Sequence, residues 1–199
     1  ARKIPFRPGT KATRRTLFIA STEPASIVGS LFDIPKTTIN QVISSFKPLD
    51  HRLEYVGSHK GIKFYNDSLA TIPEATIAAM DMLGKNLQTL IVGGFDRGIP
   101  YESLIQHILK SNIATLILFP NTGQIIWEQL KKMVKNESNL PQYFFVSDMK
   151  KAVELSFQHT KKGNICLLSP AASSFNSSKD YKDRGDQFKK YVHLHAKKR

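Results

Sequence analysis

Short apolar runs alternate with helical patterns along most of this chain, and from residue 89 onward the alternation is regular. Residues 89–94 read as a strand running into Gly93-Gly94. Residues 101–111 place Leu104, Ile105, Ile108 and Leu109 on one face, the spacing of an amphipathic helix. Strands at 115–119, 143–146 and 164–168 follow, with helices at 123–134, 149–159 and 181–195 between and after them; Ser147-Asp148 is the expected cap of the second of these helices. Continuous apolar runs of this length mark strands buried on both faces. Strands joined by helices imply a parallel sheet with right-handed crossovers.

The upstream half reads differently. Residues 50–56 and 62–65 are short strands with Lys60-Gly61 as the turn between them, which predicts a hairpin. Residues 36–46 place Ile39, Val42, Ile43 and Phe46 at helical spacing, and Lys47-Pro48 ends that helix. The fold class is therefore α/β: a Rossmann-like, mostly parallel sheet with helices on both faces and a small N-terminal hairpin. Residues 1–35, broken by four prolines and two glycines, are expected to be a basic linker or the remnant of a preceding domain, with room for one helix; residues 36–199 are the expected domain.

Composition narrows the function classes. The 199 residues are 41% hydrophobic, enough for a sizeable core. Lys and Arg number 29 against 16 Asp and Glu, a net charge of +13, which suits an anionic partner: a nucleotide, an acidic small molecule or nucleic acid. Nucleic acid is the disfavoured member of that set, because the basic residues do not interleave with aromatics as in a stacking platform. The single Cys166 excludes an internal disulfide and fits a buried position in a reducing compartment. No apolar stretch approaches the roughly 20 residues that cross a bilayer, so the chain is expected to be cytoplasmic with no membrane partner.

Candidate chemistry sits at three strand ends. Asn66-Asp67-Ser68-Leu69-Ala70-Thr71 lies between the strand at 62–65 and a helix opened by Pro73 and Glu74, residue types that suit a first helical turn. Gly93-Gly94-Phe95-Asp96-Arg97-Gly98 offers close backbone approach and a guanidinium suited to a carboxylate or phosphate, the bland alternative for Arg97 being an ion pair with Asp96 or Glu102. Ser169-Pro170-Ala171-Ala172-Ser173-Ser174 offers hydroxyls and backbone N–H groups to an anion. In a parallel sheet all three loops emerge along one edge, where ligands bind. No phosphate-binding glycine loop and no metal-spaced His/Cys cluster occurs in the sequence, and each of the six histidines, His51 among them, reads more readily as surface or core than as a ligand.

These loops, together with His51-Arg52-Leu53-Glu54, Leu168-Ser169-Pro170-Ala171 with Ser174-Phe175, and Arg184-Gly185-Asp186-Gln187-Phe188, resemble in order and spacing the C-terminal domain of the Mur ligases. The likeness is greatest to the branch that adds glutamate to UDP-N-acetylmuramoyl-alanine in peptidoglycan synthesis. The resemblance implies a three-domain ATP-dependent amide ligase working through an acyl phosphate, with ATP and Mg2+ held mainly by a central domain that precedes this one. It implies that Arg52 and Asp67 contact the nucleotide, and that Thr71, Arg97, Ser174, Phe175 and Tyr181 hold glutamate. No catalytic residue and no metal ligand is expected in this chain alone, which would be inactive without the ATPase domain.

Four departures from the family pattern stand out. Arg97 and Leu69 occupy positions where many members carry Lys, Asn176 replaces an expected Asp, and residues 9–15 stand where an adenine-contacting His-Asn segment is expected. These leave room for a non-catalytic interaction module on the same fold.

Overall fold

The structure, a computed structural model, describes residues 26–45, 49–134, 136–174 and 178–197. The chain divides into two compact units, Ala1–Pro48 and Leu49–Arg199. In the first, residues 26–31 are helical and helix α1 (Lys36–Ser45) follows the predicted spacing, with Ile39 and Ile43 half-buried and Val42 exposed. Phe46, Lys47 and Pro48 lie outside the described residues.

The second unit is built on a six-stranded sheet. Its elements in order are β1 (Glu54–His59), β2 (Ile62–Asn66), α2 (Pro73–Leu83), β3 (Leu87–Gly93), α3 (Glu102–Lys110), β4 (Thr115–Phe119), α4 (Thr122–Met133), β5 (Gln142–Phe145), α5 (Met149–His159), β6 (Ile165–Leu168) and α6 (Tyr181–Lys197). The β1–β2 pair is the expected hairpin. Lys60 and Gly61 both have positive φ (51° and 82°), the backbone that a two-residue turn between twisted strands demands. β1 starts at Glu54, later than the apolar pattern suggested, because His51 and Leu53 also have positive φ (63° and 42°) and the His51 N–H donates to the Glu54 carboxylate, turning the chain before the strand begins.

The strand order is β1-β2-β6-β3-β4-β5, with every pairing beyond the hairpin parallel. The last strand is thus inserted between β2 and β3. Leu168 at its end pairs with Asn66 on one side and Ile91 on the other, so the loops leaving β2, β6 and β3 emerge side by side. Helices α2, α3 and α4 pack as neighbours, as do α5 and α6. One core joins Phe64, Ile91, Ile117, Cys166 and Leu168 of the strands to Met149, Ala152 and Val153 of α5 and Phe188 and Val192 of α6. The predicted Asp148 cap is present, its carboxylate accepting from Lys151 N at 2.9 Å. Cys166 is fully buried, and burial pushes its thiol up to about 12. β5 departs from the prediction: as the edge strand it leaves Tyr143 and Phe145 nearly half exposed, with Tyr143 stacked on Trp127 at 3.8 Å. No helix among the described residues is long and apolar enough to cross a membrane.

Gly185 governs how closely α6 approaches the sheet. A Cβ there would be driven into the His51 ring and would stand 2.9 Å from Asn66 Nδ2. A solvent-facing helical Gly→Ala change gains about 1 kcal/mol. Gly185→Ala is expected to do the reverse and lower the unfolding free energy by about 1–3 kcal/mol, the range for overpacked cores. Urea denaturation reads the sign directly, and a more stable variant would refute this packing account.

Candidate functional site

The β2 exit is held by its own polar side chains. Asn66 is wholly buried; its Oδ1 accepts from Ser68 N at 3.2 Å, while its Nδ2 donates to Glu54 Oε2 and to His51 Nδ1, both at 3.0 Å. Asp67 follows. Its N–H donates to Leu168 O at 2.7 Å, Oδ1 accepts from Leu53 N at 3.0 Å, and Oδ2 accepts from the Ser169 hydroxyl at 2.8 Å. Burial pushes the Asp67 carboxyl up to about 6, against the opposing pull of these two donors and of the Arg52 charge. Arg52 itself is exposed, one residue before the N–H that fixes the carboxylate. The two residues expected at a nucleotide are thus brought together, one buried and one reaching solvent.

The β3 exit turns at Gly93 and Gly94, both with positive φ (110° and 152°). A Cβ at Gly94 would collide with the Ser173 carbonyl and stand 3.3 Å from both the Ala172 methyl and Arg184 Nη1, so glycine is what lets this loop lie against its neighbour. Phe95 N donates to Ser173 O at 2.9 Å. Asp96 accepts from Gly98 N at 2.9 Å and closes its own turn, and Arg97 makes no ion pair among the described residues. Instead Arg97 Nη2 donates to Thr71 O at 2.7 Å, across from the β2 loop. Two of the residues expected at glutamate therefore meet, although they leave different strands.

The β6 exit is pinned between the other two. Gly93 N donates to Pro170 O at 2.8 Å and the Tyr101 hydroxyl to Ala171 O at 3.3 Å. The Ser169 hydroxyl, which the sequence offered to an anion, is spent on Asp67, and Thr76 Oγ1 lies 2.9 Å behind it. Ser174 is buried and its carbonyl accepts from Ser178 N. Phe175 and Asn176 lie outside the described residues. Tyr181, at the start of α6, touches the buried His51 ring edge-on (6.0 Å between centroids), and its carbonyl accepts from Ser68 Oγ at 2.8 Å, so it stands on the Asp67 side of the β2 loop. His51 is accordingly a satisfied interior residue, as the bland reading held.

Sequence reasoning counted Arg184 in a family motif but gave it no role. It is 2% exposed, and burial pulls its guanidinium down to about 10. Nε donates to Ser68 Oγ at 2.9 Å, Nη2 to Ser68 O at 2.8 Å and Nη1 to Ala172 O at 3.0 Å. A signal was available: Arg184 precedes the buried Phe188 and Val192 by four and eight positions, which places it on the apolar stripe of α6.

The Asp67 carboxyl makes a pH-dependent prediction. Its folded value of about 6 lies above the ordinary 3.8, so the native state binds the proton more tightly than the unfolded chain. Ionised Asp67 then costs stability: the cost is absent below about pH 4, grows as pH rises to about 6, and reaches at most about 3 kcal/mol above that. In Asp67→Asn the amide oxygen still accepts from Leu53 N–H, and the amide donates to Ser169 Oγ, whose proton turns to Thr76. Urea unfolding from pH 4 to pH 7 is expected to show the variant gaining on the wild type as pH rises. A difference independent of pH, or of opposite slope, would show that burial does not dominate at this carboxyl.

Comparison with known proteins shows the family of the chain. The family described as Mur ligase, glutamate ligase domain, matches residues 51–172. A UDP-N-acetylmuramoylalanine--D-glutamate ligase of Caldicellulosiruptor bescii is 38% identical over 162 residues, 81% of this chain and 34% of the relative. The protein of the same name from Aquifex aeolicus is 30% identical over 189 residues, 95% of this chain and 44% of the relative. The chain thus spans between a third and a half of the length of the curated relatives it matches. Among solved structures, a murein peptide ligase from Psychrobacter arcticus shares the fold with a TM-score of 0.54 at 15% identity, covering 85% of this chain and 35% of that one. A UDP-N-acetylmuramoyl-L-alanyl-D-glutamate--2,6-diaminopimelate ligase does so with a TM-score of 0.52 at 14% identity, covering 86% and 37%. With the match spanning the β2, β3 and β6 exits, the chain belongs to the Mur ligase family and carries its glutamate ligase domain.

Proposed function

We propose that this chain supplies the amino-acid-binding part of an ATP-dependent ligase that joins D-glutamate to UDP-N-acetylmuramoyl-alanine. The observation that carries the reading is the Arg97–Thr71 contact, which sets a guanidinium and a threonine from separate strand ends on one exposed corner. The names of the relatives supply the substrates and the hand of the amino acid.

In this reading the alanyl carboxylate is first phosphorylated by ATP. The glutamate amine then attacks the acyl carbon, the carbon–oxygen bond to phosphate breaks, and an amide and inorganic phosphate result. The work of this domain is positioning. Arg97 pairs with a glutamate carboxylate, and Thr71, Ser174, Phe175 and Tyr181 line the remainder of the amino-acid site. Arg52 and Asp67 serve the nucleotide side: Arg52 provides positive charge for phosphate, and Asp67, braced by Leu53 N–H and Ser169, holds the β2 loop in place beside it. Mg2+ would supply charge neutralisation on the ATP phosphates. The family resemblance assigns that ion, together with most of the ATP contacts, to a preceding domain.

The test is an amide NMR titration of the chain with D-glutamate and, separately, L-glutamate. Saturating shifts at Thr71, Arg97 and Ser174 are expected for the D form. Arg97→Ala is expected to weaken them at least about tenfold, the worth of one charge-assisted hydrogen bond. Equal responses to both hands, or a titration indifferent to Arg97→Ala, would sink the assignment.

A further inference from the structure

We propose that Arg184 is a positioning residue, whose guanidinium keys the loop at residues 67–71 to the loop at residues 172–174 so that the two sides of the ligand site hold one register. The role of Arg184 rests on its own geometry; only the ligand rests on the ligase reading above.

Three contacts carry it. Arg184 reaches both the hydroxyl and the carbonyl of Ser68, next to Asp67, and with its other arm the carbonyl of Ala172, two residues before Ser174. The third loop closes on the same group: a Cβ at Gly94 would stand 3.3 Å from Arg184 Nη1. One side chain from α6 therefore touches or abuts the exits of β2, β6 and β3, which Ser68 and Arg184 join across 116 residues of sequence.

A merely structural link between α6 and the sheet would not need a charge. Phe188, one turn further along the same face, makes such a link with an apolar ring that is fully buried. Arg184 takes part in no salt bridge among the described residues, and a buried guanidinium without a carboxylate partner is an expensive way to pack. What the guanidinium adds is direction. Its planar donors fix the angle as well as the distance between two carbonyls from separate loops. The charge, left unneutralised beside these loops, also favours an anionic ligand over a neutral one. Ser68 completes the device, accepting from Arg184 Nε while donating to Tyr181 O, so the first residue of α6 is held by the same node.

The test compares the whole chain with Ser68→Ala, which removes one prong, and Arg184→Lys, which keeps the charge and loses the fork. Amide NMR spectra are recorded without ligand first. Ser68→Ala is expected to shift or broaden the amides of Ala172, Ser173 and Ser174, which Ser68 does not touch, while leaving β4 and β5 unchanged. Arg184→Lys is expected to broaden both loops together and, at a temperature where it remains folded, to bind D-glutamate at least about tenfold more weakly, the scale seen when outer supports of a site are removed.

Changes in Ser68→Ala confined to Ser68, His51 and Tyr181 would overturn the proposal, as would an Arg184→Lys variant that loses melting temperature but keeps its glutamate affinity. Should Arg184→Lys fail to fold, the Ser68→Ala spectrum decides alone. Should the wild type bind no glutamate, the ligase reading falls, while the ligand-free coupling of the loops still confirms or overturns the role of Arg184.

Discussion

The domain depends on the insertion of β6 between β2 and β3. Two separate pieces, the β1–β2 hairpin and the β3-β4-β5 sheet, share no strand pairing except through those four residues. Every ladder bond that unites the sheet is therefore made late in the sequence, and Asp67 meets Ser169 across a separation of 102 residues. Non-local pairing of this kind carries a loop-closure cost before any contact compensates it. The compensation lies in what β6 is made of: Ile165, Cys166, Leu167 and Leu168 are all buried, with helices available to cover both sides. Placing the ligand loops at this junction means that the site forms only when the whole sheet has closed.

Two ionisable groups are buried at that junction with no ion pair among the described residues, although the Arg52 charge acts on Asp67, and they behave differently. Asp67 is held by neutral donors and is shifted towards its uncharged form. Arg184 is also shifted towards neutrality, yet at about 10 it stays charged at physiological pH. Both lower the stability the fold could have had with apolar residues in their places. Such costs are characteristic of sites rather than of cores, and here they fall on either side of Ser68. The large surface charge of the chain is a separate matter. It draws anions from solution, but it does not set the geometry that would hold one.

Much of this was legible in the sequence, and the parts that were not share one cause. Periodicity marks which residues are buried, so strands such as Thr115–Phe119 and helices such as Met149–His159 were readable almost to the residue. The grouping of Asn66, Gly94 and Ser169 at one sheet edge followed from parallel topology. What periodicity does not encode is neighbourhood. It could not say that β6 rather than β3 lies beside β2, nor that β5 is the edge whose Tyr143 and Phe145 face solvent. Local backbone was equally hidden: His51 and Leu53, ordinary residues at positive φ, delayed β1 by several positions. Arg184 escaped because an arginine in a basic helix looks solvated until its four-residue spacing to Phe188 is noticed.

Two of the contacts that join the β2 loop to its neighbours, those of Arg184 and Arg97, have opposite characters, and the difference suits their places. Arg184 is buried and holds Ser68 through two bonds, an arrangement that water does not compete for. Arg97 is exposed and holds Thr71 through one bond to a neutral carbonyl. In water a single bond of that kind is worth about 0.5–1.5 kcal/mol net, while a carboxylate offers the same guanidinium two parallel, charge-assisted bonds. The Arg97–Thr71 contact can therefore be exchanged for a ligand carboxylate at little cost. Until then it keeps the guanidinium oriented at the loop where that ligand would sit. A permanent clamp below and an exchangeable one at the surface is the arrangement a preorganised binding site requires: rigidity where loops must not move, and a weak internal bond where the ligand must win.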